Sequence, residues 1–274
     1  MKQITVNTPG DLHDGYYVDS TDGEVVVKVK ESIPTGPGPG EFTFTPSEYV
    51  TLVGKAEYCE SVIADGKELI TGTESGRLQV ESLKNPYVKI VFKEGLTDFS
   101  HVFEQTYLVG LPEDFQFGEF LSSDITNFDY AFYGCELLKS IPSKIFRNSA
   151  SEASFNHTFE MSAIESVPSG LFDYSPEAQY FENAFAYCSN LKTIPVNLFE
   201  NNKSIYNVQG LFDGCSSLTG ESPYDHQDYE HIDVHLYERE YNPHYYTQIP
   251  TLFERAFGQC VGLTDYESIP SDWK

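Results

Sequence analysis

Apolar residues recur along the last two thirds of the chain at a repeating spacing. Phenylalanine anchors fall at Phe103, Phe132, Phe159, Phe185, Phe212 and Phe257, in steps of 29, 27, 26, 27 and 45 residues. Four residues before each anchor stands Phe99, Phe128, Phe155, Phe181, Val208 or Phe253. A spacing of four predicts both side chains on one face of a helical turn. Three residues after four of the anchors comes Cys135, Cys188, Cys215 or Cys260. An apolar pair follows, Leu138 with Ile141 and Leu191 with Ile194, and predicts a short strand. Pro142, Pro168, Pro195 and Pro270 close that stretch, because proline donates no ladder hydrogen bond. Phe146, Phe172 and Phe199 follow four residues after the proline in three copies.

One such unit cannot bury its own apolar stripe. Stacked units share a continuous core, with their strands aligned as a narrow parallel sheet. The expected fold is an α/β solenoid of about six coils. Burial of each large side chain stabilises by roughly 1.5–3 kcal/mol, which assigns the phenylalanines to the scaffold and not to a ligand site.

The repeated motif is Ala131-Phe132…Cys135…Leu138…Ile141-Pro142, again as Ala184-Phe185…Cys188…Leu191…Ile194-Pro195 and as Ala256-Phe257…Cys260…Leu263. At these residues the chain resembles the BspA-like leucine-rich repeat family, over residues 95–274. The copy from Phe155 to Pro168 departs from the motif, with Met161 and Ser162 near the cysteine position, and the copy from Phe99 to Pro112 is also weaker. The period is longer than the family's usual one, so longer loops are expected between turns. The resemblance implies a surface-displayed, extracellular recognition or adhesion module of the kind found in Bacteroidetes, with a protein or glycan partner. It implies no catalytic residue and no cofactor.

The residues ahead of the repeats alternate differently. Tyr16-Tyr17-Val18 and Val25–Val29 flank Asp22-Gly23, a hairpin signal. Residues 1–31 therefore form an expected hairpin arm or anchor. Residues 32–40, with alternating Pro and Gly, suit neither helix nor central strand and predict a linker. Strands are expected at Phe42–Phe44, Tyr49–Val53, Leu78–Val80 and Val88–Phe92, with a turn at Asp65-Gly66. This block, 41–94, is a β-rich cap or a small β domain. A solenoid needs a cap, because its terminal unit must present a polar outer face.

The repeat breaks at an insertion, residues 221–250. It carries Tyr224, Tyr229, Tyr237, Tyr241, Tyr245 and Tyr246, together with His231 and His235. Insertions in repeat proteins map to loops on one face, often the binding face. Tyrosine supplies contact area at low entropic cost. These eight residues are the expected partner contacts, Tyr237 among them as a residue that stability does not need; the solenoid face is the other expected binding surface. The alternatives are a lid over the core edge or a subunit contact. Ile232, Val234 and Leu236 alternate with His231, Asp233 and His235, which predicts a strand. Residues four apart on a strand lie roughly 13 Å apart, too far to chelate one ion, so no metal site is expected.

Composition narrows the function. The net charge is −25 in 274 residues. That disfavours nucleic-acid backbones, which need Lys and Arg to displace counterions, and anionic membrane surfaces. Forty per cent of residues are hydrophobic, enough for a core. Five cysteines, four of them at one repeat position, suit small buried thiols better than a disulfide framework. Cys59 has no assigned role. Gly36–Gly40 lacks the Lys-Ser/Thr of a phosphate loop, and Pro37 and Pro39 lack N–H donors. Paired carboxylates of a glycosidase are unmotivated in so acidic a chain. Asn156-His-Thr158 and Asn202-Lys-Ser204 match the glycosylation pattern, which matters in a eukaryotic host. No stretch approaches 18 apolar residues. Residues 1–10 lack an apolar signal core. Two readings stay open: an export signal replaced by Met1, or a phage virion protein (head or tail fibre, or decoration) that begins here, self-associating or docking on other virion proteins through residues 1–40.

Overall fold

The computed structural model describes residues 16–19, 26–29, 41–69, 76–112, 115, 117, 125–227, 232–240 and 245–274. The chain divides into two compact units, Met1–Pro37 and Gly38–Lys274, with the boundary inside the Pro/Gly run. In the first unit β1 (Tyr16–Asp19) pairs antiparallel with β2 (Val26–Val29). The Asp22-Gly23 turn and the 32–40 linker lie outside the described residues.

The second unit opens with β3 (Glu41–Phe44) and β4 (Glu48–Val53). Then come β5 (Cys59–Ala64), β6 (Lys67–Glu68), β7 (Leu78–Ser82), β8 (Tyr87–Phe92) and β9 (Leu108–Gly110). Five strands form one sheet in the order β6-β5-β8-β3-β9, and β4 pairs separately with β7; every pairing is antiparallel. The turn between β5 and β6 is Asp65-Gly66, both at positive φ, which suits the twist of a two-residue hairpin. β9 belongs to the first repeat, so the sheet and the repeats share one hydrophobic core. β5 supplies the buried Cys59 to that core.

The repeats do not form the expected α/β solenoid. Among the described residues there is no α-helix, only short 3-10 turns, and the sheets are small and mostly antiparallel. The parallel sheet expected between repeats is reduced to β10 (Ile125–Asn127) beside β11 (Ser149–Ser154) and a few single-residue bridges. The reason lies two residues either side of each anchor. Before it stand His101, Tyr130, His157, Asn183, Gly210 and Arg255; after it Gln105, Gly134, Met161, Tyr187, Gly214 and Gln259. All twelve have φ between 50° and 76°. A right-handed helix cannot pass through a left-handed residue, so each apparent helical turn is a pair of tight turns.

This backbone turns alternate N–H groups toward the following repeat. Phe99, His101, Phe103 and Gln105 donate to the carbonyls of Asn127, Asp129, Ala131 and Tyr133. The same four bonds recur at each of the next four junctions, all at 2.6–3.0 Å and all in one direction. The anchor rings follow the ladder. Phe103, Phe132, Phe159, Phe185, Phe212 and Phe257 stack in sequence at 5.3–5.7 Å between centroids. A second column runs through Phe117, Phe146, Phe172 and Phe199.

The cysteine slot completes the unit. Cys135, Cys188, Cys215 and Cys260 each donate Sγ–H to the carbonyl of the preceding anchor at 3.0–3.1 Å. Thr106 and Ser162 fill the slot in the first and third repeats, each within reach of the next repeat's thiol. All five thiols are free and buried. Burial pushes those of Cys59, Cys135, Cys188 and Cys260 up to about 12, so they stay protonated at neutral pH.

Phe185, buried between Phe159 and Phe212, sets the scale of the core. Phe185→Ala is expected to cost about 3–5 kcal/mol in urea unfolding; a loss below 1 kcal/mol would contradict a close-packed ring column. Cys188→Ala is expected to cost about 1–2 kcal/mol, through a lost hydrogen bond and a small void. Cys188→Ser keeps a donor and should cost less; a serine variant weaker than the alanine variant would refute this role for the slot.

Candidate functional site

The insertion folds back on the scaffold. β12 (Tyr224–Gln227) pairs antiparallel with β13 (Ile232–His235), as the alternation predicted for the second strand. Arg239 then enters the core. Its guanidinium donates to the Phe199 carbonyl at 2.7 Å and the Asn202 carbonyl at 3.0 Å. One repeat earlier the Asn202 amide serves the equivalent carbonyls of Phe172 and Ser175. Arg239 therefore replaces a repeat residue where the repeat is interrupted. Asp225 pairs with Arg239 at 2.9 Å, and both side chains are almost fully buried. Tyr246 donates to Asp225 at 2.7 Å and lies under the Lys203 and Arg239 cations.

The five expected contact residues that the structure describes are thus dispersed. Tyr246 is 2% exposed and belongs to the core. His235 stacks on Tyr237 at 5.0 Å, and Tyr237 lies edge-on to Phe257 and Trp273. Ser222 bridges His235 and Asp265, and Tyr237 reaches the same carboxylate at 3.3 Å. Tyr237 is therefore a packing residue, contrary to the expectation that stability does not need it. Ser222 is fully buried and stands between the imidazole and the carboxylate, the wrong order for a nucleophile activated by histidine. Tyr224 and Tyr245 are half-buried at the surface. Tyr229, His231 and Tyr241 lie outside the described residues. No metal-binding cluster occurs among the described residues. Asn202 and Thr158 are fully buried, so both glycosylation matches carry structural residues.

A different surface gathers exposed apolar groups. The left-handed residues point outward from the anchors and align in columns. His101, Tyr130 and His157 stack with centroids 4.8 and 4.3 Å apart and rings within 7° of parallel. Glu104 and Glu160 hold the two imidazoles. Tyr133 packs on Tyr130 at 5.6 Å and continues the surface sideways. There it lines a shallow well of about 380 Å³ with Tyr107, Leu137 and Met161. A second well of about 290 Å³ shares Met161 and Glu136 and extends to Tyr187. Tyr107, Leu137, Met161 and Tyr187 are 41%, 38%, 43% and 50% exposed. Tyr187 lies across Gly214 of the next repeat, where a Cβ would sit 2.6 Å from its ring. Burial, then the carboxylates of Glu160, Glu182 and Asp129, push the Tyr130 hydroxyl upward.

Sequence reasoning offered the repeat face only in general and not these residues, because those contributed by different repeats are 24 or more apart along the chain. The available signal was an apolar residue two past the anchor at Met161 and Tyr187, with Leu137 five past its own.

Compared with protein-family models, curated proteins and solved structures, the chain matches none.

The insertion's role as a clamp is open to measurement. Arg239→Ala leaves Asp225 buried without its cation and is expected to cost about 3–5 kcal/mol. A change below 1 kcal/mol in thermal or urea unfolding would show that the insertion does not hold the last repeats.

Proposed function

We propose that the chain is a non-enzymatic recognition module that binds a macromolecular partner, protein or glycan, through the face of its first four repeats. The observation that carries the reading is the strip of exposed Tyr107, Leu137, Met161 and Tyr187, joined by the half-buried Tyr133. Single exposed apolar residues are ordinary, but a contiguous patch marks an interaction surface. The strip sits on close-packed repeats, so it needs little ordering on binding. The wells are shallow and held open by side chains on the surface, which suits a partner's protruding groups. The resemblance of the repeated motif to surface-displayed BspA-like proteins agrees with recognition and display outside the cell.

The test is a paired screen on glycan and peptide arrays with the wild type and a Leu137→Ser, Met161→Ser double variant. Both positions are exposed, so the fold should hold, with the thermal midpoint within about 2 °C. Binding is expected to fall at least tenfold. Retained binding in this variant, with loss in Tyr224→Ala or Tyr245→Ala, would move the site back to the insertion. Turnover of an arrayed glycan would overturn the non-enzymatic reading.

A further inference from the structure

The chemistry of the recognition face narrows its partner, taking the reading above as given. The stretches 129–137, 156–164 and 182–190 build its centre, and they contain no Lys or Arg. They contain Asp129, Glu136, Glu160 and Glu182. Glu160 is engaged by His157, and Glu182 by Asn207. Glu136 is exposed and lines both wells. Lys139 and Lys192, the nearest lysines in sequence, are turned to Glu165 instead. The centre of the strip is therefore apolar with an acidic wall at Glu136, while Arg77 at the rim of the first well is held by Gln105 and Glu104.

Two further observations select among partners. The wells share Met161 and Glu136, so they are adjacent rather than separate sites. An extended polypeptide sends alternate side chains to one side about 7 Å apart, which suits two neighbouring wells. Tyr130, in the middle of the aromatic column, offers a sugar ring no open face, being covered on both sides by His101 and His157; Tyr107 and Tyr187 are exposed only at the two ends of the strip. We infer that this face docks an extended peptide segment in which a Lys or Arg beside Glu136 accompanies apolar side chains seated in the two wells.

The probes are fluorescein-labelled decapeptides with fixed apolar positions and Lys/Arg, Gln or Asp/Glu at the remaining ones. Fluorescence polarisation should show the Lys/Arg set binding at least tenfold tighter than the Gln set, with the Asp/Glu set weakest. Raising salt from about 0.05 to 0.5 M should weaken that binding several-fold, because an exposed charge pair is screened. Glu136→Lys should abolish the preference, and the isosteric Glu136→Gln should reduce it, with both variants checked by thermal unfolding. Equal binding of all three sets, or an unchanged preference in folded Glu136→Gln, overturns the inference. A glycan captured through Leu137 and Met161, with no peptide preference, also overturns it while leaving the recognition reading intact. No binder on either array overturns both.

Discussion

The structure depends on a one-directional hydrogen-bond ladder between repeats. Four N–H groups of each repeat face the next one, and its carbonyls face back. Such a ladder requires alternate peptide units to be turned the same way, and the left-handed residues supply the turning. Nine of the twelve are not glycine, and each carries a conformational cost of roughly 1–2 kcal/mol. The ladder and the stacked anchors offset that cost together; a single repeat would have the strain without the partners. This is why the unit is cooperative and why its ends need closure. At one end Gly54 donates to the Val102 carbonyl, and any Cβ at Gly54 would meet the His101 carbonyl at 2.0 Å. At the other, Arg255 and Phe257 donate to Asp272 and Trp273, and the Trp273 ring lies 4.7 Å from Phe253.

The cysteine slot follows from the same constraint. The anchor carbonyl already accepts a hydrogen bond from the turn N–H three residues on, and it retains a second lone pair inside an apolar core. A small side chain with a weak donor can reach it from the next repeat. A thiol tolerates the apolar surroundings better than a hydroxyl, because it is less costly to desolvate. The hydroxyl of Thr106 returns to its own repeat's carbonyl, Phe103. The slot is thus a packing and hydrogen-bonding position, and the raised thiol values are its consequence.

Much of the scaffold was legible in the sequence, and the limits were physical. The strands before the repeats announced themselves by alternation, except β5, where Cys59-Glu-Ser-Val-Ile-Ala breaks the strict pattern, and the two-residue, wholly charged β6. The anchors and the slot were visible as spacing. Their backbone was not, because a spacing of four places two rings together in a helix or in a pair of tight turns. Glycine would have betrayed the left-handed sites, but His, Tyr, Asn, Arg, Gln and Met fill most of them. The insertion misled through composition. Its tyrosines suggested an exposed paratope, whereas Tyr246 and Asp225 meet across 21 residues and Arg239 replaces a missing repeat residue. Its strand alternation was read correctly, since that signal is local.

The same backbone that fixes the core frees the surface. Anchors, slot residues and the column of second phenylalanines are all directed inward, so their identities are constrained by volume. The left-handed residues are directed outward, and their backbone is held by the ladder whatever side chain they carry. One column therefore accommodates His, Tyr, His, Asn, Gly and Arg in succession, and the other Gln, Gly, Met, Tyr, Gly and Gln. Size is balanced locally: Asn183 lies over Gly210 and Tyr187 over Gly214, so a large side chain borrows the space its neighbour leaves empty. A scaffold of this kind separates folding from surface chemistry. The aromatic column, the apolar strip and its acidic wall can coexist on one face because none of them is needed to hold that face in place.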